Sequence, residues 1–203
     1  MNRLEIRLQA RNALLETTPG FWSDAELNQA INDGCDDLSA VALLPRYISW
    51  PSSGQGTLPE DFLLARDVYW LDADGHRTAL LPREGQASPS SEQGVPVFYV
   101  LNEDAKTLSA WPIPAESGTL ELYYAGLLPH LNTDTDVPAL PDRWHRLLVY
   151  WTAAQGLLKS QDAAAGTYMA EYASGKEGLA MERMAQTQRM MTARSILAPV
   201  EEP

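Results

Sequence analysis

The chain has 203 residues, with 15 Lys and Arg against 27 Asp and Glu, a net charge of −12 and a pI near 4.6. That balance argues against a grip on nucleic acid, which needs clustered Lys and Arg to neutralise phosphates, and no basic run occurs. One cysteine, Cys35, excludes an internal disulfide. The N-terminus mixes charged and apolar residues, and no run is long and apolar enough for a signal peptide or a membrane span, so a soluble protein made in a cytoplasm is expected.

Residues 2–16 predict a helix with Leu4, Leu8 and Leu15 on one apolar stripe and Arg3, Glu5, Arg7 and Arg11 elsewhere, stopped by Thr17-Thr18-Pro19-Gly20. Ser23 and Glu26 then have capping-box spacing, with Trp22 placed to pack onto Leu27. Leu27, Ile31, Gly34, Leu38 and Val41 extend that second helix to Pro45, and Cys35 falls inside its period as a buried thiol. From Arg46 the texture becomes β: Tyr47–Trp50, then Val68–Leu71 and Arg77–Leu81 about an Asp72-Ala73-Asp74-Gly75 turn. A Ser/Gly/Pro-rich loop from Pro82 to Gly94 is expected to be exposed and mobile. Val97–Leu101, Thr107–Trp111 and Thr119–Tyr124 read as a meander. Leu58-Pro59-Glu60-Asp61-Phe62 reads as a turn anchored by its Leu and Phe. Leu140-Pro141 starts a third helix carrying Trp144, Leu147, Leu148, Trp151, Ala154 and Leu158, and a fourth runs through Tyr168, Tyr172, Leu179, Met184 and Met191.

The expected fold is α+β: a four-helix bundle formed by both chain ends, with an inserted antiparallel β region. Residues 1–45 and 139–195 would form the helical body, 46–138 the β region and 196–203 a flexible tail.

No pattern carries chemistry. Asp72-Ala73-Asp74-Gly75 begins like a calcium loop, but position twelve is Arg83 rather than Glu. Asp134 and Asp136 on a polar loop, Glu60 and Asp61 in a turn, and the scattered His76, His130 and His145 each suit a structural role better than a site. No nucleophile elbow, phosphate loop or dinucleotide fingerprint occurs. The chain is therefore expected to be no enzyme, with no cofactor, metal or catalytic residue. The last helix is the unusual element. Gly166, Gly175 and Gly178 each cost a helix roughly 1 kcal/mol relative to alanine, and methionines and an apolar end follow. Met184, Arg189, Met190, Met191, Ile196 and Leu197 are candidates for partner binding, ordered against another subunit.

Phe21-Trp22-Ser23-Asp24-Ala25-Glu26-Leu27, Leu58-Pro59-Glu60-Asp61-Phe62, the Trp111-Pro112-x-Pro114 turn, the Leu140-Pro141 helix start and the long Tyr/Ala/Met-rich last helix occur in the order found in tailed-phage head-to-tail adaptors. The chain resembles the tail tubular protein A (gatekeeper) group and related head-completion proteins. That resemblance implies a virion protein at the head–tail junction: a homo-oligomeric ring of twelve beneath the portal protein, with the tail or nozzle proteins below and double-stranded DNA passing through without specific binding. It implies that the C-terminal helix docks on the portal and that the β region meets tail components. An acidic channel wall suits such passage. The alternatives are a small virion-associated hydrolase, or a monomeric binding domain that uses the β insertion.

Overall fold

The computed structural model describes residues 1–16, 18–51, 54–83 and 92–197, with side chains to Gln188. Two compact units form, one from the N-terminus to Leu43 together with Leu128 onward, the other from Leu44 to Leu127.

The helical unit holds α1 (Arg3–Ala13), α2 (Asp24–Ala42), α3 (His145–Lys159) and α4 (Ala165–Leu197). α2 begins as its sequence requires: the Ser23 hydroxyl accepts from the Glu26 N–H, and the Glu26 carboxylate accepts from the Ser23 N–H. α1 has the same device at Asn2 and Glu5. A single 3-10 turn, Asp142–Trp144, precedes α3, so the third helix starts at His145, four residues after Pro141. α1, α2 and α4 each pack on α3. Leu14, Leu27, Leu157 and Ala165 form one buried cluster, joined by Trp22 and Tyr168.

α1 corrects the sequence expectation. Ile6, Ala10 and Leu14 are buried with Arg7 and Arg11, while Leu4, Leu8 and Leu15 face solvent. The reason is ionic. Arg3 and Arg7 both bind Asp134, Arg7 also approaches Asp24, and Arg11 bridges Asp24 and Glu16 while donating to the Trp22 carbonyl. Arginines at steps of four share one helix face, so a ladder of carboxylates on that side draws the whole face inward.

The β unit contains β1 (Leu44–Pro51), β2 (Gln55–Thr57), β3 (Phe62–Asp72), β4 (Arg77–Pro82), β5 (Gln93–Gly94), β6 (Phe98–Asn102), β7 (Thr107–Trp111), β8 (Ile113–Pro114) and β9 (Gly118–Gly126). Seven of these make one sheet in the order β1-β9-β3-β4-β6-β7-β2, and β5 and β8 pair separately. The sheet is nearly closed. Its outer strands return toward each other, and Trp50 of β1 lies so close over Gly56 of β2 that a Cβ there would meet the ring at 2.0 Å. Leu58, Val68, Trp70, Leu80, Leu108, Ala110, Leu120, Leu122 and Tyr124 fill its interior. Burying Leu120 or Leu122 completely stabilises the unit by roughly 1.5–3 kcal/mol each. β3 and β4 form the expected hairpin; Gly75 takes φ 87°, and the Asp72 carboxylate accepts from the Asp74 and His76 N–H groups.

The expected fold class does not stand. The helices do not make a four-helix bundle from both chain ends: α1 spans 11 residues and α4 spans 33, and both lie on the central, 15-residue α3. Nor is the β region a purely antiparallel insertion. β4 and β6 run parallel, with Leu81 opposite Phe98, and β9 leaves the meander to lie between β1 and β3. The alternation that marks a strand fixes which side chains point inward but not which strand becomes its neighbour. Residues 84–91 of the expected mobile loop, and 198–203 of the expected tail, lie outside the described residues.

Candidate functional site

α4 runs antiparallel to α3, and its first half is fixed closely. Ala165, Tyr172 and Leu179, seven residues apart, are its buried side chains. Gly175 and Gly178 permit the approach: a Cβ on Gly175 would stand 2.3 Å from Leu147, and one on Gly178 would stand 3.1 Å from Trp144. These glycines are contact points rather than weak places, whereas Gly166 has open space about it. The Tyr172 hydroxyl donates to Asp37, and Lys176 reaches the same carboxylate at 2.7 Å. Burial pushes the Asp37 carboxyl up, but the Lys176 and Tyr172 hydrogen bonds outweigh it and hold it below its ordinary value. Arg143 pairs with Glu182 and keeps that carboxyl low, with Trp144 Nε1 donating to it as well.

Past Leu179 no described side chain of α4 is buried, yet the helix continues to Leu197. The continuation is roughly 27 Å long at the helical rise per residue. Met184 is 67% exposed and Met181 is similarly bare. From Arg183 to Leu197 the sequence has three arginines and no carboxylate, in a chain whose net charge is −12.

The family model for the SU10 adaptor protein matches residues 1–198. The chain belongs to that family. SU10 adaptors are a phage head–tail adaptor family, which makes this a virion structural adaptor protein of a family that is not an enzyme family. No curated protein matches the chain.

Of the side chains set aside as sites from the sequence, Asp61, Asp134, Asp136 and His145 have structural partners in this adaptor. Asp61 accepts from the Tyr124 hydroxyl at 2.9 Å and pairs with Arg46, while Glu60 is exposed. Asp134 holds Arg3 and Arg7, and Asp136 closes its own loop through Thr133 and Asn132. His145 is fully buried, its Nε2 2.8 Å from the Leu140 carbonyl oxygen. Among the described residues, no three His, Cys, Asp or Glu converge as metal ligands, and no helix is long and apolar enough to cross a membrane. An open recess of about 410 Å³ at Trp50, Pro51, Gln55, Gly56 and Thr57 has no titratable group in its lining.

Of the candidate partner-binding residues, Met184 is exposed on α4. The side chains of Arg189, Met190, Met191, Ile196 and Leu197 lie outside the described residues, although their backbone belongs to α4. The expectation missed Leu15, Phe21 and Leu158, large apolar side chains in solvent. The signal for Leu15 was available, since it directly precedes the Glu16-Thr17-Thr18-Pro19-Gly20 stop and so falls at a helix end rather than on a helix face.

Proposed function

We propose that the chain is a subunit of a homo-oligomeric ring of about twelve copies that joins the portal protein to the tail or nozzle proteins, with double-stranded DNA passing through without specific binding. The observation that carries this reading is α4 itself, which runs on for roughly 27 Å past Leu179, with no buried side chain among those described as far as Gln188. A helix that buries no further side chain in its own subunit gains little by extending, because helical stability comes mainly from packing. A docking partner supplies that packing. Met184, Arg189, Met190, Met191, Ile196 and Leu197 form the partner surface, with flexible methionines fitting a partner of irregular shape and the arginines meeting carboxylates. The body acidity keeps DNA from adhering to the channel.

Deleting Arg189 to Pro203 tests this. The truncated protein should stay folded and soluble but fail to join filled heads, so particles leak DNA or lack tails. A truncation that unfolds by itself, or that completes particles normally, refutes the assignment of the partner surface.

A further inference from the structure

The helical unit has two unlike ends. At one, the exit of α1, the entry of α2 and the C-terminus of α3 meet. The Glu16 carboxylate accepts from the Phe21 and Trp22 N–H groups, Trp22 Nε1 donates to the Gly156 carbonyl, and Lys159 Nζ stands 4.9 Å from the Phe21 ring centre. Three large apolar side chains there face solvent: Leu15 at 94% exposure, Phe21 at 59% and Leu158 at 53%. Leu15 also holds φ 55°, the left-handed conformation that glycine adopts without steric cost and a leucine does not. The helix end needs that backbone shape; it does not need a leucine, which adds almost nothing to its own core. A strained residue that presents its side chain wholly to solvent points to a use outside the subunit.

At the opposite end, the start of α3 meets α4 through Arg143, Trp144, Gly178 and Glu182. Met181 and Met184 are bare there, and Arg183 has a hydrogen bond to Gln186 but no ion pair closer than 4.0 Å among the described residues. The charges are complementary. At the Leu15 end the cations are already committed, Arg11 to Asp24 and Glu16 and Lys159 to Glu26, whereas the exposed Asp162 carboxylate accepts from the Ala164 N–H and has no ion pair among the described residues. At the methionine end Arg183 is a cation without an ion pair among the described residues, and Asp142 in the turn before α3 is an exposed carboxylate 3.7 Å from His145. Unlike, matching patches at opposite ends of one unit specify contact between copies in head-to-tail fashion, which closes a ring when the rotation permits.

We propose that the Leu15–Phe21–Leu158 end of one copy receives the Met181–Met184 stretch of the next copy. This rests on the adaptor reading and names the partner for the first part of its α4 surface.

The test uses particles carrying Leu15→Cys and Met184→Cys in the same chain, oxidised and run under denaturing conditions. Cys35 will not compete, because burial pushes its thiol up to about 12. A ladder extending beyond dimers is expected from the double variant, with monomers from either single variant. Dimers from Leu15→Cys alone would mean a symmetric contact and overturn the inference. So would monomers from a double variant that is present in tailed particles, with the adaptor reading left standing. Particles that lack the protein altogether would remove both. In a second measurement, Leu15→Gly should hold or raise Tm, since it relieves the left-handed leucine, while weakening self-association at least tenfold. A raised Tm with unchanged self-association would show that Leu15 docks nothing.

Discussion

α1 and α2 lie side by side, are both amphipathic and carry the same N-terminal capping device, yet they are held by different forces. α2 buries Leu27, Ile31, Cys35 and Leu38 against its neighbours, with Gly34 beneath Trp151 and Leu148. α1 buries Ile6, Ala10 and Leu14 alongside two guanidiniums, and Arg11 is only 2% exposed. An apolar face can be held by any neighbour of suitable shape. A buried arginine is held by particular carboxylates, here Asp24, Glu16 and Asp134. α1 is therefore the helix whose place depends on specific partners, and it leaves leucines in solvent as a result.

The sharpest way to break this contrast is Arg11→Ala. It leaves Glu16 and Asp24 facing a lost cation and should cost about 3 kcal/mol in denaturant unfolding; a loss under about 0.5 kcal/mol, the range for ordinary surface changes, would mean that the ladder merely decorates α1. On α2 the corresponding change is one of fit. Gly34→Ala would set a Cβ 2.8 Å from Trp151 Cδ1, so despite alanine's better helix propensity it should destabilise by about 1–3 kcal/mol, and a gain in Tm would show that α3 yields freely. Ser23→Ala removes the cap from α2 and should cost about 1 kcal/mol, read from the same unfolding curves.

Acid separates the two helices further. Hydrogen bonds from Arg7 and then Arg3 hold the Asp134 carboxyl below its ordinary value. A depressed folded-state pKa gives stability that is present above the unfolded value, about 3.9, and is lost as pH falls through the lower folded one. Asp134→Asn should therefore differ from the parent at pH 7 and converge with it well below pH 4, as followed by urea midpoints. On α2, Glu26 is held at about 2 by its hydrogen bonds to Lys159 and Ser23, so its cap should persist through most of that window. The smallest effect belongs to Leu8→Gln. An exposed position should change stability by no more than about 0.5 kcal/mol, and a large loss would mean that the leucine stripe is core after all.

Local devices were legible from the residues alone: the Ser23–Glu26 cap, the Asp72–Gly75 turn, the anchoring Leu58 and the break after Lys159. Each depends on residues a few positions apart, so hydrogen bonding and turn geometry make them legible in order, and that order carried the resemblance to the adaptors. Which face of α1 goes inward was not legible there, because Asp134, more than a hundred residues away, turns a polar stripe into a buried one. The same holds for β9 lying between β1 and β3, for the parallel β4–β6 pair, and for Gly175 and Gly178 serving contact with α3. Periodicity reports that a face exists; what covers it is set by partners distant in the chain, and those partners left Leu4 and Leu8 of α1 in solvent.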